Sequence, residues 1–185
     1  MTRAFNPGLP RRLGAALLVA GSLAAGPALA QAPAAKTKPT APQRTETVVY
    51  DNWTVTCHDS LADNARRTCS ASLQVTNRKN GQSVLIWEIG TDSAGKPTYA
   101  VRTPLGVRVK EGIRMTVGAA KPRQVDYVLC DTRGCEAAAP FDDALARDLK
   151  AASEASIAFT ATNGQTFTIK VPLKGISQAL AAMRG

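Results

Sequence analysis

Apolar and polar residues alternate with a period of two along most of the chain from Val48 onward. Trp53, Val55 and Cys57 alternate with Thr54 and Thr56, and Cys69, Ala71, Leu73 and Val75 alternate with Ser70, Ser72, Gln74 and Thr76. Successive side chains on a strand point to opposite faces, so each run predicts a half-buried β-strand. Asn80-Gly81 is a strong turn signal ahead of Val84-Leu85-Ile86-Trp87, which makes a hairpin of the second run and this one. After the Ser93–Pro97 turn, Tyr99, Val101, Leu105, Val107 and Val109 share one parity, with Arg102, Arg108 and Lys110 on the other. Pro104 and Gly106 mark a bend or an edge position within that run. Ile113, Met115 and Val117 continue the alternation with Arg114 opposed, and Val125, Tyr127 and Leu129 lead into Cys130. Ile157-Ala158-Phe159 and Phe167–Val171 flank Asn163-Gly164 and predict a second hairpin.

Two segments break the period. Phe141-Asp142-Asp143 opens a helix through Ala152 with an aspartate at the N-cap and an acidic first turn. Ile176–Met183 follows Gly175, with Ser177 as a candidate cap. The pattern predicts a mainly β fold, a β-sandwich or partly closed barrel of seven to nine short strands with two short helices. No internal repeat and no second domain is visible.

The first thirty residues belong to another class of segment. Arg3, Arg11 and Arg12 precede a small and apolar run from Leu13 to Ala25, and Ala28-Leu29-Ala30 fits a signal-peptidase site. Residues 1–30 are therefore expected to be a cleaved signal peptide. The run is shorter than the roughly 20 apolar residues of a membrane span, and Gly14, Gly21 and Ser22 interrupt it. No later segment reads as a transmembrane span, so the mature chain is expected to lack one. Residues 31–47, rich in Pro, Ala and Lys, read as a disordered linker, and 48–185 as the β domain. The leader holds three of the 23 Lys+Arg and none of the 14 Asp+Glu, which leaves the remainder at +6. A basic excess favours acidic partners through long-range, salt-sensitive attraction.

All four cysteines, Cys57, Cys69, Cys130 and Cys135, follow the leader, and export places them where disulfides persist. Four cysteines permit three connectivities, of which proximity favours Cys57–Cys69 and Cys130–Cys135. No C-x-x-C pair supports a metal or redox site, and His58, next to Cys57, points to the opposite strand face. No metal or cofactor is expected.

Signals for catalysis are sparse. His58 is the only histidine, and no G-x-S-x-G elbow accompanies it. Ser93-Ala94-Gly95-Lys96 matches S-x-x-K, but Gly95 and Pro97 make a turn of it rather than a helix. Asp142 and Asp143 are explained by a helix N-terminus, and no phosphate-binding loop, H-E-x-x-H helix or calcium loop occurs. One surface does emerge. Arg102, Arg108, Lys110 and Arg114 take the solvent parity of neighbouring strands, and Lys121 and Arg123 occupy the following turn. Pairing of those strands as a hairpin through Glu111-Gly112 would unite the charges in an anion-binding patch.

Several stretches in fixed order resemble the invasion-associated locus B family. Asp51-Asn52-Trp53-Thr54-Val55-Thr56-Cys57, then Cys69 and Gln74, are similar to its D-W-x-V-x-C opening, second cysteine and glutamine. Pro104-Leu105-Gly106-Val107, Gly112, and Cys130 with Gly134-Cys135 resemble its P-x-G-V, G and C-x-x-x-G-C succession. Leu173-Lys174-Gly175-Ile176 with Ala179-Leu180 is similar to its closing L-K-G-F-x-x-A-L. Asn52 is an insertion into the Asp-Trp pair, and Ile176 stands in place of an aromatic residue. The resemblance implies a periplasmic or secreted envelope protein of the α-proteobacterial type, with host-cell entry among the roles of some members. It supplies no catalytic residues.

Together these features predict a non-enzymatic exported envelope protein that binds an acidic ligand or partner protein. Candidate partners are an anionic glycan, a lipid headgroup or an envelope protein; no specific nucleic-acid recognition is expected. The alternative is a periplasmic enzyme inhibitor or chaperone-like accessory protein, favoured if 130–135 forms a protruding rigid loop. A small hydrolase built on His58 is a third possibility, favoured if that residue lies in a deep pocket with carboxylate neighbours.

Overall fold

Period-two alternation becomes two antiparallel sheets in the computed structural model, which describes residues 43–60 and 66–184. The leader, the cleavage point after Ala30 and most of the linker lie outside the described residues. In chain order the elements are β1 (Gln43–Tyr50), β2 (Trp53–Ser60), β3 (Arg67–Thr76), β4 (Ser83–Thr91) and β5 (Pro97–Thr103), a single 3₁₀ turn (Val109–Glu111), and β6 (Ile113–Val117). They continue with β7 (Arg123–Val125), β8 (Tyr127–Asp131), β9 (Gly134–Pro140), α1 (Asp143–Ala151), β10 (Glu154–Thr160), β11 (Thr166–Pro172) and α2 (Ile176–Ala182). Seven strands form one sheet in the order β1-β2-β3-β4-β5-β9-β8, and four form the other in the order β11-β10-β6-β7.

The predicted parity decides which face is inside. Trp53 and Val55, Ala71 and Leu73, Leu85, Trp87 and Ile89, and Tyr99 and Val101 are buried on the large sheet. Ile113, Met115, Val117 and Ile157 are buried on the small one. Each buried aliphatic side chain is worth roughly 1.5–3 kcal/mol. Trp53 and Trp87 meet edge to face with ring centroids 5.7 Å apart, and Trp87 meets Tyr99 at 6.5 Å. Aromatic pairs add about 0.5–1.5 kcal/mol beyond the area they bury.

Both helices form where the period breaks. The Asp142 carboxylate accepts a 2.6 Å hydrogen bond from the Leu145 backbone N–H, capping α1 as the sequence predicts. Leu145 and Leu149 are buried from one side of α1, and Ile176, Ala179 and Leu180 from one side of α2. Ser177 does not cap α2. That position is taken by Gly175 at φ +91°, where an added Cβ would lie 1.9 Å from the Tyr50 carbonyl oxygen.

Three differences from the sequence pattern have physical causes. β1 already includes residues ahead of Val48, because it pairs with β2 along its whole length, from Gln43 opposite Ser60 to Tyr50 opposite Trp53. Seven of its eight residues are exposed, so main-chain hydrogen bonds define it and hydrophobic periodicity does not. Among the described residues eleven strands form rather than seven to nine, since β1 is added and residues 123–131 divide between the two sheets. Finally, β5 ends at Thr103 and does not continue through Val109. Pro104 has no N–H to donate, and Gly106 sits at φ +86°, so the chain leaves the large sheet there.

Each disulfide joins directly opposed residues of neighbouring strands, Cys57–Cys69 across β2 and β3 and Cys130–Cys135 across β8 and β9. The two bridges span 12 and 5 residues of sequence. Loop-closure entropy gives them about 3 and about 2 kcal/mol. Replacing Cys57 and Cys69 together by serine is expected to lower unfolding free energy by about 3 kcal/mol in urea titrations, and the Cys130/Cys135 pair by about 2.

Candidate ligand-binding end of the sandwich

The chain between β5 and β6 crosses from the large sheet to the small one, and its residues gather at one end of the molecule. Arg108 N–H donates to the Thr160 carbonyl at 2.8 Å, Thr162 N–H donates to the Gly106 carbonyl at 2.8 Å, and Val107 bridges Ala161. These bonds tie the crossing segment to the turn between β10 and β11. Val84, at the start of β4, and Asn77, from the turn between β3 and β4, line the same groove as Pro104, Leu105, Val107, Phe159, Phe167 and Ile169. Phe159 and Phe167 stack with centroids 5.7 Å apart. Leu105 is 57% exposed and Phe167 41% exposed, so the sequence places as core two side chains that the fold leaves at the surface.

The six predicted patch residues do not share a face. Arg102 and Arg114 belong to different sheets, and β5 and β6 do not pair, so the hairpin through Glu111-Gly112 does not form. Side-chain parity records which face of a strand is wet but not which sheet owns the strand. Arg102 lies on the outer face of the large sheet and donates to Asp131 at 3.2 Å and to Glu136, its cross-strand partner. Arg123 donates to Asp142 at 2.9 Å and reaches Asp148 at 3.8 Å, tying β7 to α1. Arg108 donates to Glu111 at 3.0 Å. A hydrogen bond from the Thr160 hydroxyl, then one from Arg108, hold the Glu111 carboxyl below its ordinary range. Among the described residues, Lys110, Arg114 and Lys121 have no carboxylate within 4.0 Å, the distance of an ion pair.

The small sheet divides what remains. Ile113 begins β6 beside the crossing segment, and Val117 ends it beside the turn that carries Lys121. Arg108, Lys110 and Arg114 therefore occupy one end, with Lys121 and Arg123 toward the other. The turn beginning at Asn77 adds Arg78 and Lys79, both exposed, to the first end. Sequence reasoning passed over these two because a turn has no parity to assign. Their signal is their position beside Asn80-Gly81, in a hairpin whose partner loops are also basic. Across residues 76–84, 104–112 and 159–169, Glu111 is the only acidic residue against Arg78, Lys79, Arg108 and Lys110.

His58 sits elsewhere, on the outer face of the large sheet in a cavity of about 510 Å³ with Glu88, Asp92 and Glu136. Its Nδ1 is 3.0 Å from the Thr45 hydroxyl on β1. Among the described residues no carboxylate pairs with the imidazole. The hairpin closed by Cys130–Cys135 presents Val128, Leu129 and Arg133 to solvent. Among the described residues no cluster of three or more His, Cys, Asp or Glu could hold a metal ion, and no helix is long and apolar enough to cross a membrane.

Asp131 at that hairpin gives a measurable handle. Hydrogen bonds from the Arg133 side chain and backbone, with Arg102 contributing less, pull its pKa from 3.8 down to about 2. A folded value below the unfolded one means this carboxylate stabilises the fold fully above 3.8, and the contribution is lost as pH falls through about 2. The Asp131 titration followed by NMR is expected to have a midpoint near 2, moving toward 3.8 in Arg133→Ala.

The fold and its matches with known proteins agree. The crystal structure of invasion associated protein b from Bartonella henselae superposes with a TM-score of 0.64 at 21% sequence identity, covering 75% of this chain and 96% of that one. Among curated protein sequences, none matches. The family model described as invasion associated locus B (IalB) protein matches residues 53–184, from the first residue of β2 to beyond α2. The chain belongs to the invasion associated locus B family.

Proposed function

We propose that this chain is an exported, non-enzymatic envelope protein that binds an anionic ligand at the basic end of its sandwich. The observation that carries this reading is the charge imbalance there: Arg78, Lys79, Arg108 and Lys110 stand against Glu111 alone. Charges of one sign around a concave surface raise the local concentration of an oppositely charged ligand. The two disulfides support export, since such bonds persist in oxidising compartments. The Bartonella protein's name ties that relative to invasion, and contact with a host surface is one setting in which an anionic glycan would be met.

Polyphosphate titrated calorimetrically into the leaderless protein is expected to bind at 0.05 M salt and to weaken steeply toward 1 M, where charge interactions reach only about 3 Å. Replacing Arg78, Lys79, Arg108 and Lys110 together by glutamine should weaken binding by about tenfold or more, the lower end of what such a field supplies. Arg102→Gln and Arg123→Gln should leave it unchanged, because those less exposed guanidinium groups are tied to carboxylates of other elements. Equal losses from both sets would reject the basic end as the site.

A second reading, an inhibitor or accessory protein acting on an envelope enzyme, is favoured by one observation. The outer strand β8 exposes Val128 and Leu129 beside the bridged turn. In that case a partner captured from envelope extract should resist a salt gradient and be lost with Leu129→Asp; capture that survives the substitution rejects this reading.

A further inference from the structure

The apolar groove lies at the same end as the basic turns, and this juxtaposition carries an inference that rests on the proposed anion-binding reading. We infer that the groove takes the hydrocarbon chain of an anionic lipid molecule, whose headgroup meets Arg78, Lys79, Arg108 and Lys110. The groove has a volume of about 480 Å³, within the range of about 300–1,000 Å³ usual for small-molecule sites. Val84, Val107, Phe159 and Ile169 supply floor and walls, and Leu105 and Phe167 stand at its margins with much of their surface in water. Asn77, where the basic turn begins, supplies the one polar side chain of the lining.

Two features narrow the occupant. A polyanion without apolar parts satisfies the basic turns and leaves Leu105 and Phe167 exposed. A neutral or cationic hydrocarbon covers those side chains and leaves four positive groups facing one carboxylate. An anionic amphiphile meets both demands at once. The groove is concave, between the crossing segment and β11, so it fits a single inserted chain better than a flat bilayer surface. β11 is also an outer strand, open to pairing with a peptide, but main-chain pairing does not select for negative charge.

The test uses the leaderless protein and monomeric octyl, decyl and dodecyl phosphate, each below its aggregation concentration, measured by calorimetry. Affinity is expected to rise about two- to fourfold with each added methylene, and to fall with salt. Leu105→Ser with Phe167→Ser should flatten that dependence while leaving polyphosphate binding intact. Both side chains are substantially exposed, and unchanged circular dichroism confirms that the variant folds. Dodecyltrimethylammonium should bind at least about tenfold more weakly than dodecyl phosphate. Affinity independent of chain length, with polyphosphate still bound, overturns this inference alone. Equal binding of the cationic and anionic chains, with no polyphosphate binding, overturns the basic-end reading beneath it. Binding to phosphatidylglycerol vesicles without binding of monomeric dodecyl phosphate assigns the surface to a bilayer and overturns the single-chain site. Displacement of dodecyl phosphate by an apolar peptide but not by a longer alkyl phosphate assigns the groove to a protein partner.

Discussion

Seven strands on one side and four on the other leave an apolar sheet face that a second sheet cannot cover alone. The rest of the architecture follows from that mismatch. α2 packs over β1 and β2, and α1 packs against α2, burying Leu145, Leu149, Ile176, Ala179 and Leu180. The last segment is locked to the first by short-range contacts. Lys174 lies 2.8 Å from Asp51, the Asn52 N–H donates to the Lys174 carbonyl, and Gly175 approaches the Tyr50 carbonyl more closely than any side chain would allow. The turn between β1 and β2 is thus tied to the start of α2.

How much of this was legible in the sequence depends on how each strand is buried. β2 through β6 and β10 have one wet and one dry face, so alternation reveals them. β1 is wet on nearly all sides and offers nothing to read except its main chain. The N-cap of α1 was legible because an aspartate side chain does the capping; that of α2 was misassigned because Gly175 acts through backbone conformation and leaves no polar signature. The basic patch failed at a higher level. Arg102 and Arg114 have the parity expected of them, but the break at Pro104 and Gly106 sends their strands to different sheets. Local pattern gives the face, and only the global pairing gives the neighbour.

The residues that carry the family resemblance are largely those that the packing requires. Trp53 is fully buried, the four cysteines form the cross-strand bridges, and Gly134 lies so close to the Thr103 carbonyl that a Cβ would sit 2.3 Å from it. Such motifs identify a fold and carry no chemistry with them. This accounts for a chain that shares its architecture with the Bartonella protein at 21% identity while the groups with binding potential, Arg78, Lys79 and Lys110, lie outside every matching motif.

Formal charge is a poor guide to which of those groups matter. Unlike the more exposed Arg108–Glu111 pair between chain neighbours, Arg102 and Arg123 each engage a carboxylate in a pair that holds two elements together. Their positive charge is spent within the fold and adds little field beyond it. Lys79, Lys110 and Arg78 make no such contact among the described residues and extend from turns, where an approaching anion meets them without displacing an internal partner. The crossing segment serves both properties of that end. It carries Arg108 and Lys110 outward, and the same break that frees it from the large sheet leaves Leu105 uncovered beside Phe167. A basic rim and an apolar groove therefore arise from one topological event, the passage of the chain from one sheet to the other at Pro104.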